Sequence, residues 1–476
     1  MEKLFLEDVL REWPVHDNEL IAYVLDNARS LNNAKIVVLD DDPTGVQTVH
    51  DVNVYTNWSY ESVLAGFREE KKMFYILTNS RSFTSEETRR AHEEIACNVV
   101  RVSEELQREY ILVSRGDSTL RGHWPLETET LRETIERMSS IVIDGEVIAP
   151  FFKEGGRYTI NNIHYVNFNG ILVPAGETEF ARDQTFGYIS SHLGEWVEEK
   201  SHGRYKKENL CYVGLKDLRS CNFDDIERQL LNVRLFNKVI VNSLDLCDIQ
   251  VFCAALYKAI NKGKHFLLRT ASSLPKVLAG ICDRPFLTRE ELLGDKISAG
   301  GLVIVGSHVK KTTEQLEELK TCDFIHFIEF NQHLILEPEK VKQEIDRVIK
   351  ECNIHLARGK TVVVYTRRQV FNLGTSDKEE ELKASVKVSH AITQIVEGIK
   401  VRPAFIVAKG GITSSDIGVK GLKVKRAMVL GQILDGVPVW RIGEESRFPG
   451  MPYVIFPGNV GDKTALKEAV MILCGK

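Results

Sequence analysis

Short apolar runs of strand length alternate with helical patterns along most of the chain. The runs at residues 36–39, 74–77, 110–113, 141–143, 239–241 and 266–268 predict strands. Between them, residues 85–106 have a helical pattern, and Thr84 and Glu87 have the spacing of a capping box. The runs are rich in Val and Ile without strict alternation, which is typical of strands buried on both faces. The pattern therefore predicts parallel sheets flanked by helices, an α/β fold.

A polar, turn-rich stretch at residues 282–301 interrupts this alternation, and a new apolar run follows at residues 302–305. The strand and helix patterns then restart, and short strands linked by Gly and Pro turns follow from Arg426 onwards. A chain of 476 residues is also longer than one ordinary domain. We predict two α/β domains, at residues 1–285 and 298–476.

Composition narrows the class of protein. The 62 basic and 67 acidic residues give a net charge of −5, which does not favour binding to nucleic acid or to an anionic membrane. Residues 1–13 are acidic and amphipathic, unlike a signal peptide, and no apolar run has the length of a membrane span. The nine cysteines show no C-x-x-C pair and no metal-ligand spacing with histidine. We expect a cytoplasmic protein with reduced thiols and no structural metal.

The first candidate site is an acidic turn at residues 40–45, with the sequence Asp-Asp-Asp-Pro-Thr-Gly, directly after a predicted strand. Ligands of open α/β sheets bind beyond the carboxyl ends of strands, so the turn lies where chemistry is expected. One aspartate there would usually be a turn former or a helix cap. Three adjacent aspartates repel one another, which favours binding of a polar ligand or a metal, or a role as general base.

Two further strand ends carry polar side chains in the same half of the chain. The sequence R-G-D-S-T-L-R-G at residues 115–122 follows one predicted strand, and N-S-R at residues 79–81 follows another. Arginine pairs well with carboxylate or phosphate, whereas aspartate and hydroxyl groups suit sugar hydroxyls. An Arg–Asp pair that closes its own loop is the simpler alternative. Together the three strand ends favour a small, acidic, polyhydroxylated ligand.

Glycine turns mark the second half of the chain. They follow predicted strands at residues 306–308, 409–416 and 456–462. Glycines followed by Ser or Thr at a strand-to-helix turn can present backbone N–H groups to phosphate. Each turn alone is weak support for a phosphate site, since such turns are common.

Several well-known motifs are absent from the sequence. There is no Walker A motif and no G-x-G-x-x-G after the first predicted strand, which argues against a P-loop enzyme and against an ordinary dehydrogenase. Protein-kinase and G-x-S-x-G hydrolase motifs are also missing. His308 and His390 stand alone, and each is expected to be a surface residue rather than a metal ligand.

Taken in order, the motifs resemble the four-carbon acid sugar kinase family along nearly the whole chain. In the first half they are Asp-Asp-x-Thr-Gly at residues 41–45, Ser-Arg at 80–81, Asp-Ser-Thr-x-Arg-Gly at 117–122, A-P-F-F-K-E-G-G-R-Y-T at 149–159 and Glu-Thr-Glu-x-Ala-x-Asp at 177–183. In the second half they are Gly-Ser at 306–307, Gly-Gly-x-Thr at 410–413 and Pro-Gly-Asn at 457–459. Three positions depart from the family pattern. Val309 replaces the second serine of Gly-Ser-x-Ser, Ile412 replaces an aspartate, and Arg115 stands where lysine is usual.

The resemblance implies an N-terminal domain that binds a sugar acid and a C-terminal domain that binds ATP, with the active site in the cleft between them. The residues implied for the acid are Asp41, Arg81, Arg115, Gly116, Asp117, Ser118 and Arg121. Those implied for the nucleotide are Ser307, Gly410, Gly411, Ile412, Thr413, Gly458 and Asn459, and Lys409 is added from its position alone.

The implied reaction is transfer of a phosphoryl group from ATP, with Mg²⁺ bound to the nucleotide, to a hydroxyl of a threonate-, erythronate- or 3-oxo-tetronate-type acid. The arginines would hold the carboxylate, and Asp41 or Asp117 would accept the proton of the attacking hydroxyl. A dehydrogenase or aldolase acting on the same acids, and a non-catalytic sugar-acid sensor, remain open alternatives. The expected partners are small molecules, not nucleic acid or membrane, and a homodimer is compatible with the sequence.

Overall fold

The apolar runs form the strands of a computed structural model that describes residues 4–13, 18–294, 299–306, 309–369, 378–458 and 460–476. Its strands are β1 (Leu4–Phe5), β2 (Lys35–Asp40), β3 (Val52–Tyr55), β4 (Met73–Leu77), β5 (Tyr110–Arg115), β6 (Gly145–Ala149), β7 (Arg157–Ile160), β8 (Ile163–Phe168), β9 (Ile171–Pro174), β10 (Cys211–Val213), β11 (Asn237–Val241), β12 (Phe266–Thr270), β13 (Leu302–Val305), β14 (His326–Phe330), β15 (Val362–Thr366), β16 (Ile406–Lys409), β17 (Arg426–Leu434), β18 (Val437–Ile442) and β19 (Pro452–Phe456).

The helices follow the amphipathic stretches between these strands. They are α1 (Leu6–Glu12), α2 (Asn18–Ser30), α3 (Tyr60–Arg68), α4 (Ser85–Leu106), α5 (Leu126–Met138), α6 (Leu193–Lys200), α7 (Leu215–Arg219), α8 (Phe223–Asn232), α9 (Leu246–Ile260), α10 (Ser273–Ala279), α11 (Arg289–Leu293), α12 (Lys310–Leu319), α13 (Pro338–Ala357), α14 (Lys378–Gly398), α15 (Gly411–Asp416) and α16 (Ala465–Cys474). The predicted capping box is confirmed at the start of α4, where Thr84 and Glu87 exchange side-chain and backbone hydrogen bonds. Among the described residues, no helix is both long enough and apolar enough to cross a membrane.

The chain divides into two compact units. The first comprises Met1–Thr48 and Asn57–Asp283, and the second comprises Val49–Thr56 and Arg284–Lys476. The short segment that contains β3 therefore packs in the second unit although it lies in the first half of the sequence.

The first unit contains a parallel sheet with the strand order β10-β11-β6-β12-β5-β2-β4. Every residue of β2, β4, β6 and β12 is buried, and for β2, β4 and β12 the apolar runs predicted this burial. Strand β2 pairs with β4 and β5 in a register that sets Asp40 beside both Leu77 and Arg115. The last residues of these three strands therefore lie side by side at the carboxyl edge of the sheet.

A small antiparallel sheet with the order β1-β9-β8-β7 also belongs to the first unit and was not predicted. The strand predicted at residues 141–143 is wrong, because the sheet strand in that region is β6, which begins at Gly145. Strand β6 carries a buried Glu146, whose carboxylate lies 2.8 Å from Lys238 Nζ and accepts a hydrogen bond from Trp124. Glu146 makes this strand look polar in the sequence, although its carboxylate is paired and buried.

The second unit contains a mixed sheet with the order β3-β17-β18-β19-β16-β13-β15-β14. Strands β19, β16, β13, β15 and β14 are parallel, whereas β3, β17, β18 and β19 pair in antiparallel fashion. Buried side chains of β13, β16, β19 and α16 form one continuous apolar core. The two α/β units, each with a largely parallel sheet flanked by helices, confirm the predicted fold class.

Candidate functional site

The acidic turn after β2 is held in one conformation by its own side chains. Asp42 Oδ1 accepts hydrogen bonds from the backbone N–H of Thr44 at 2.8 Å and from its hydroxyl at 2.6 Å. The backbone N–H of Gly45 donates to the carbonyl of Asp42 at 3.0 Å. A Cβ on Gly45 would lie 2.1 Å from Asp40 Oδ2, so a side chain at this position would collide with the carboxylate. The turn therefore folds back onto the aspartate that precedes it.

Asp41 accepts hydrogen bonds from two arginines, which lie at the ends of the strands on either side of β2. Arg81 donates from Nη2 to Asp41 Oδ1 at 2.8 Å and from Nε to Oδ2 at 3.2 Å, a bidentate pair. Arg115 donates from Nη1 to the same Oδ1 at 3.4 Å. The three residues follow or end β2, β4 and β5, as the motif analysis predicted from the sequence.

Asp40 forms a more deeply buried layer of this cluster. Its Oδ1 accepts a hydrogen bond from Arg115 at 3.1 Å, and its Oδ2 is buried without a hydrogen-bond partner among the described residues. Burial, reinforced by the charges of Asp41 and Asp42, outweighs the attraction of Arg115 and raises the pKa of Asp40 to about 7. Asp40 is therefore a group whose charge changes near neutral pH.

Asp117 and Arg121 form a second pair after β5. Arg121 Nε donates to Asp117 Oδ2 at 2.7 Å, and the Thr119 hydroxyl donates to the same oxygen. Burial opposes the ionisation of Asp117, but the charges of Arg81 and Arg121 and these hydrogen bonds outweigh it and hold the pKa of Asp117 well below its usual range. Since Arg81 acts on both Asp41 and Asp117, the two pairs form one electrostatic cluster.

The cluster contains residues that were not predicted. Arg269, inside the buried strand β12, donates to Glu127 Oε2 at 2.7 Å and to Ser114 Oγ at 3.0 Å. A Cβ on Gly116 would lie 2.3 Å from the guanidinium carbon of Arg269, so a side chain at this position would displace that guanidinium group. Ser272 is a further partner, accepting a hydrogen bond from Arg115 Nη2 at 3.0 Å. Arg269 could have been found from the sequence, because an arginine inside an apolar strand is unusual. Nothing in the sequence distinguishes Ser272.

Arg157 is a further cation of the same region. Its charge and that of Asp117 interact, and both Arg157 and Arg121 lie over the ring of Phe180, at 5.5 and 5.1 Å from the ring centre. Burial lowers the pKa of Arg157 from its ordinary value. Arg157 lies in the motif at residues 149–159 but was not assigned a role from the sequence.

Of the predicted acid-binding residues, Asp41, Arg81, Arg115, Asp117 and Arg121 are joined by contacts or charge interactions in the first unit. Gly116 lies against Arg269. Ser118 is buried, and its carbonyl accepts a hydrogen bond from His164 Nε2 at 2.8 Å.

The glycine turns of the second unit share one edge of its sheet. Parallel pairing sets Lys409 level with both Val305 and Phe456, so the segments that follow β13, β16 and β19 leave the sheet side by side. A Cβ on Gly306 would lie 2.8 Å from the Thr413 hydroxyl oxygen, which shows how closely two of these turns approach. The turn predicted at residues 410–413 is largely the first part of helix α15, which begins at Gly411. Gly410, at φ +118°, links strand and helix in a conformation that favours glycine.

Lys409 is fully buried at this edge. Its Nζ donates to the carbonyl oxygens of Pro457 at 2.6 Å and Gly458 at 3.3 Å, and lies 4.1 Å from the ring centre of Phe456. Burial, with a smaller contribution from Lys311, lowers the pKa of Lys409 to about 7. Lys409 therefore ties the end of β16 to the turn that follows β19.

The other residues predicted to bind the nucleotide differ in their exposure and contacts. Ile412 has a largely exposed side chain, 72% accessible, and Thr413 is half-buried next to Gly306. The carbonyl of Gly458 also accepts a hydrogen bond from the Thr312 hydroxyl at 3.3 Å. Ser307, His308 and Asn459 lie outside the described residues.

Comparisons with known proteins agree with two units of different chemistry, one with charged side chains and one with glycine turns at the strand ends. A family model described as a sugar-binding N-terminal domain matches residues 36–278, about half of the chain. A second, described as a nucleotide-binding C-terminal domain, matches residues 302–466. No curated protein matches the chain significantly.

Solved structures share the fold at low sequence identity. The chain is similar to the Haemophilus influenzae protein HI1011, from a family of unknown function, with 18% identity and a TM-score of 0.59 over 92% of this chain and 100% of that one. It is also similar to a Salmonella typhimurium LT2 protein named as a candidate tRNA synthase, with 14% identity and a TM-score of 0.67 over 92% of this chain and 98% of that one. The paired sugar-binding and nucleotide-binding domains, found in the same order as the motifs, show that this chain belongs to the four-carbon acid sugar kinase family.

Proposed function

We propose that the protein is an ATP-dependent kinase that phosphorylates a hydroxyl of a four-carbon sugar acid of the threonate, erythronate or 3-oxo-tetronate type. The observation that carries this proposal is the cluster of paired arginines and aspartates in the first unit. Guanidinium groups recognise a carboxylate, and aspartates accept hydrogen bonds from sugar hydroxyls. A site for a small polyhydroxylated acid needs both kinds of side chain, guanidinium groups and carboxylates, close together.

Exposure separates the arginines into two roles. The side chains of Arg81 and Arg121 are 23% and 25% accessible, whereas that of Arg115 is 5% accessible. We therefore assign contact with the substrate carboxylate to Arg81 and Arg121. Arg115 would support them by fixing Asp40 and Asp41.

Asp41 is the proposed proton acceptor, and Asp117 is the proposed anchor for a substrate hydroxyl. The charges of Arg81 and Arg121 outweigh burial and hold the pKa of Asp117 far below its usual range, which makes Asp117 a poor proton acceptor. The Asp41 side chain is 2% accessible, so a substrate hydroxyl would reach its Oδ2 only as Arg81, which donates the single hydrogen bond to that oxygen among the described residues (3.2 Å), turns towards the substrate carboxylate. Phosphoryl transfer needs this base only as the hydroxyl loses its proton in the transition state.

The nucleotide would be held by the second unit through backbone groups. The glycine turns that follow β16 and β19, which Lys409 ties together, can offer backbone N–H groups to phosphate oxygens. Asp462 and Asp416, the acids near these turns, are engaged by Thr464 and by Lys420. Mg²⁺ would therefore arrive as part of MgATP and stay largely hydrated.

The proposal is tested by incubating the full chain with MgATP and threonate, erythronate or 3-oxo-tetronate. We expect release of ADP together with an equal amount of phosphorylated acid, measured by mass spectrometry. Erythritol, which has the same carbon chain without the carboxylate, is the matched control and should not react. Binding of an acid without ADP release would instead indicate a sensor, and turnover with NAD would indicate a dehydrogenase.

A further inference from the structure

Two histidines and a glutamate converge in the second unit, away from the proposed nucleotide edge. His326 begins β14, while Glu351 and His355 lie one turn apart on α13. One nitrogen of each histidine and one oxygen of Glu351 all lie within 4.8 Å of one another. The two imidazole rings are stacked, with centroids 3.5 Å apart and planes at 15°. His326 Nε2 and Glu351 Oε1 are already 2.8 Å apart.

We propose that His326, Glu351 and His355 form a binding site for a zinc ion. Two imidazoles and one carboxylate are a ligand set that zinc accepts, with its fourth position open to water. Three further observations support the site. A neighbouring arginine orients the carboxylate of Glu351, a nitrogen of His355 has no hydrogen-bond partner among the described residues, and the cluster lies on an edge strand.

Arg347 prepares Glu351 as a ligand. Its Nη1 donates to Glu351 Oε2 at 3.0 Å, and its other nitrogens are bound to Glu344 and to the backbone of Glu329. The arginine therefore orients the carboxylate and leaves Oε1 facing the histidines. Hydrogen-bonded carboxylate ligands of this kind are the usual outer shell of zinc sites.

His355 carries an unsatisfied polar atom. Its Nδ1 is buried and has no hydrogen-bond partner in the part of the chain that the structure describes. A buried polar nitrogen without a partner is destabilising, and coordination of a cation through Nδ1 would remove that deficit.

The required movement is small. Zinc holds histidine nitrogen and carboxylate oxygen at about 2.0–2.2 Å, which places tetrahedral ligand atoms about 3.3 Å apart. The side chains of His326 and Glu351 are 28% and 33% accessible, and the two stacked imidazole rings would have to turn so that both direct a nitrogen at the ion.

The position of the cluster separates the ion from the proposed nucleotide site. Strand β14 is the last strand in the order of its sheet, where it pairs with β15. His326 pairs with Val362 at the amino ends of these parallel strands, whereas the glycine turns follow the carboxyl ends. A bound zinc ion would fasten the edge strand to α13 at the opposite edge from the proposed nucleotide site. The site therefore does not depend on the kinase reaction.

The test is titration of the tag-free full chain with Zn²⁺ in competition with a chromophoric chelator. We expect one tightly bound equivalent, a rise in melting temperature with zinc, and visible absorption typical of tetrahedral coordination when Co²⁺ replaces zinc. Each of His326→Ala, His355→Ala and Glu351→Gln should weaken zinc binding by about tenfold or more, as loss of a ligand or its support usually does.

His390→Ala is the matched control, because His390 is an exposed histidine of the same unit outside the cluster. It should leave the zinc affinity unchanged. Glu351→Gln keeps the size of the side chain, so it remains informative if a histidine variant fails to fold. Absence of zinc binding, or binding that survives these cluster substitutions, would overturn the proposal.

Discussion

Both units present polar groups where parallel strands end, and each buries there an ionisable side chain whose pKa is strongly shifted by burial. In the first unit this is Asp40, whose pKa burial raises to about 7, and its neighbours are charged side chains in matched pairs. In the second unit it is Lys409, whose pKa burial lowers to about 7, and its partners are backbone carbonyls. Burial shifts both groups towards their neutral forms, from opposite directions.

The difference indicates what each edge recognises. Charged pairs distinguish a small acid by the placement of individual side chains, so single substitutions there should have large and local effects. An edge built from glycine turns and backbone groups recognises phosphates by the course of the main chain. Substitutions at the second edge should therefore act through the turn and have smaller effects.

The largest expected effect is that of Asp41→Asn. The amide keeps the shape of the carboxylate but cannot accept the hydroxyl proton, and it weakens the bidentate pair with Arg81. We expect kcat to fall by about 10²–10⁴-fold, the usual contribution of general-base catalysis, with nucleotide affinity almost unchanged. ADP release and calorimetric binding of ATP measure the two quantities.

Asp224→Asn is the control for this change, since Asp224 is an exposed aspartate of the same unit, 86% accessible and paired with Lys258. It should retain full activity. If Asp41→Asn also remains fully active, Asp41 is not the base. The contrast between an edge that recognises its ligand by charged side chains and one that does so by backbone groups then loses its main support.

Much of the fold could be predicted from the sequence because buried parallel strands read as unbroken apolar runs. Strands β2, β4, β5, β11 and β12 each contain a predicted run. Strand β6 was missed because Glu146 and Lys238 are buried as an ion pair, which no local pattern reveals. The small antiparallel sheet and the placement of β3 depend on long-range pairing, which short, separated segments do not encode locally.

A second, intermediate effect concerns the pH dependence of stability. The pKa of Asp40 is raised from 3.8 to about 7 in the folded protein, so between these values the folded state binds more protons than the unfolded state. Stability linked to Asp40 is therefore present at low pH and is lost as the pH rises through 7. Between about pH 5 and pH 8, the wild type should lose about 2–3 kcal/mol of unfolding free energy relative to Asp40→Asn.

Urea denaturation of both proteins across this range measures the difference. The contribution of Lys409 has the opposite sign above pH 7, but it is common to both proteins and cancels. Parallel curves for wild type and Asp40→Asn would show that Asp40 does not titrate in this range and would contradict the contrast between the two buried groups.

The proximity of the charged residues could be predicted better in the first unit than in the second. Asp41, Arg81, Arg115, Asp117 and Arg121 were predicted because each is a charged residue next to a strand end. Arg269 and Ser272 were missed because they come from a strand and a turn that are distant in sequence from the motifs. The contacts of Lys409 with the carbonyls of Pro457 and Gly458 could not be predicted, because every residue has a backbone carbonyl and the sequence does not show which of them will accept a hydrogen bond.

The smallest expected effect is that of Lys409→Met, which tests the backbone edge. Methionine fills similar space but removes the hydrogen bonds to Pro457 and Gly458, so the turn after β19 loses its tie to β16. We expect ATP affinity to fall about tenfold, or about 1.4 kcal/mol, with sugar-acid affinity unchanged. Calorimetry with each ligand separately measures both, and Lys423→Met, at an exposed lysine paired with Glu397, serves as the control. Unchanged ATP affinity would remove Lys409 from the nucleotide site, whereas equal losses for both ligands would show that the two edges do not act separately.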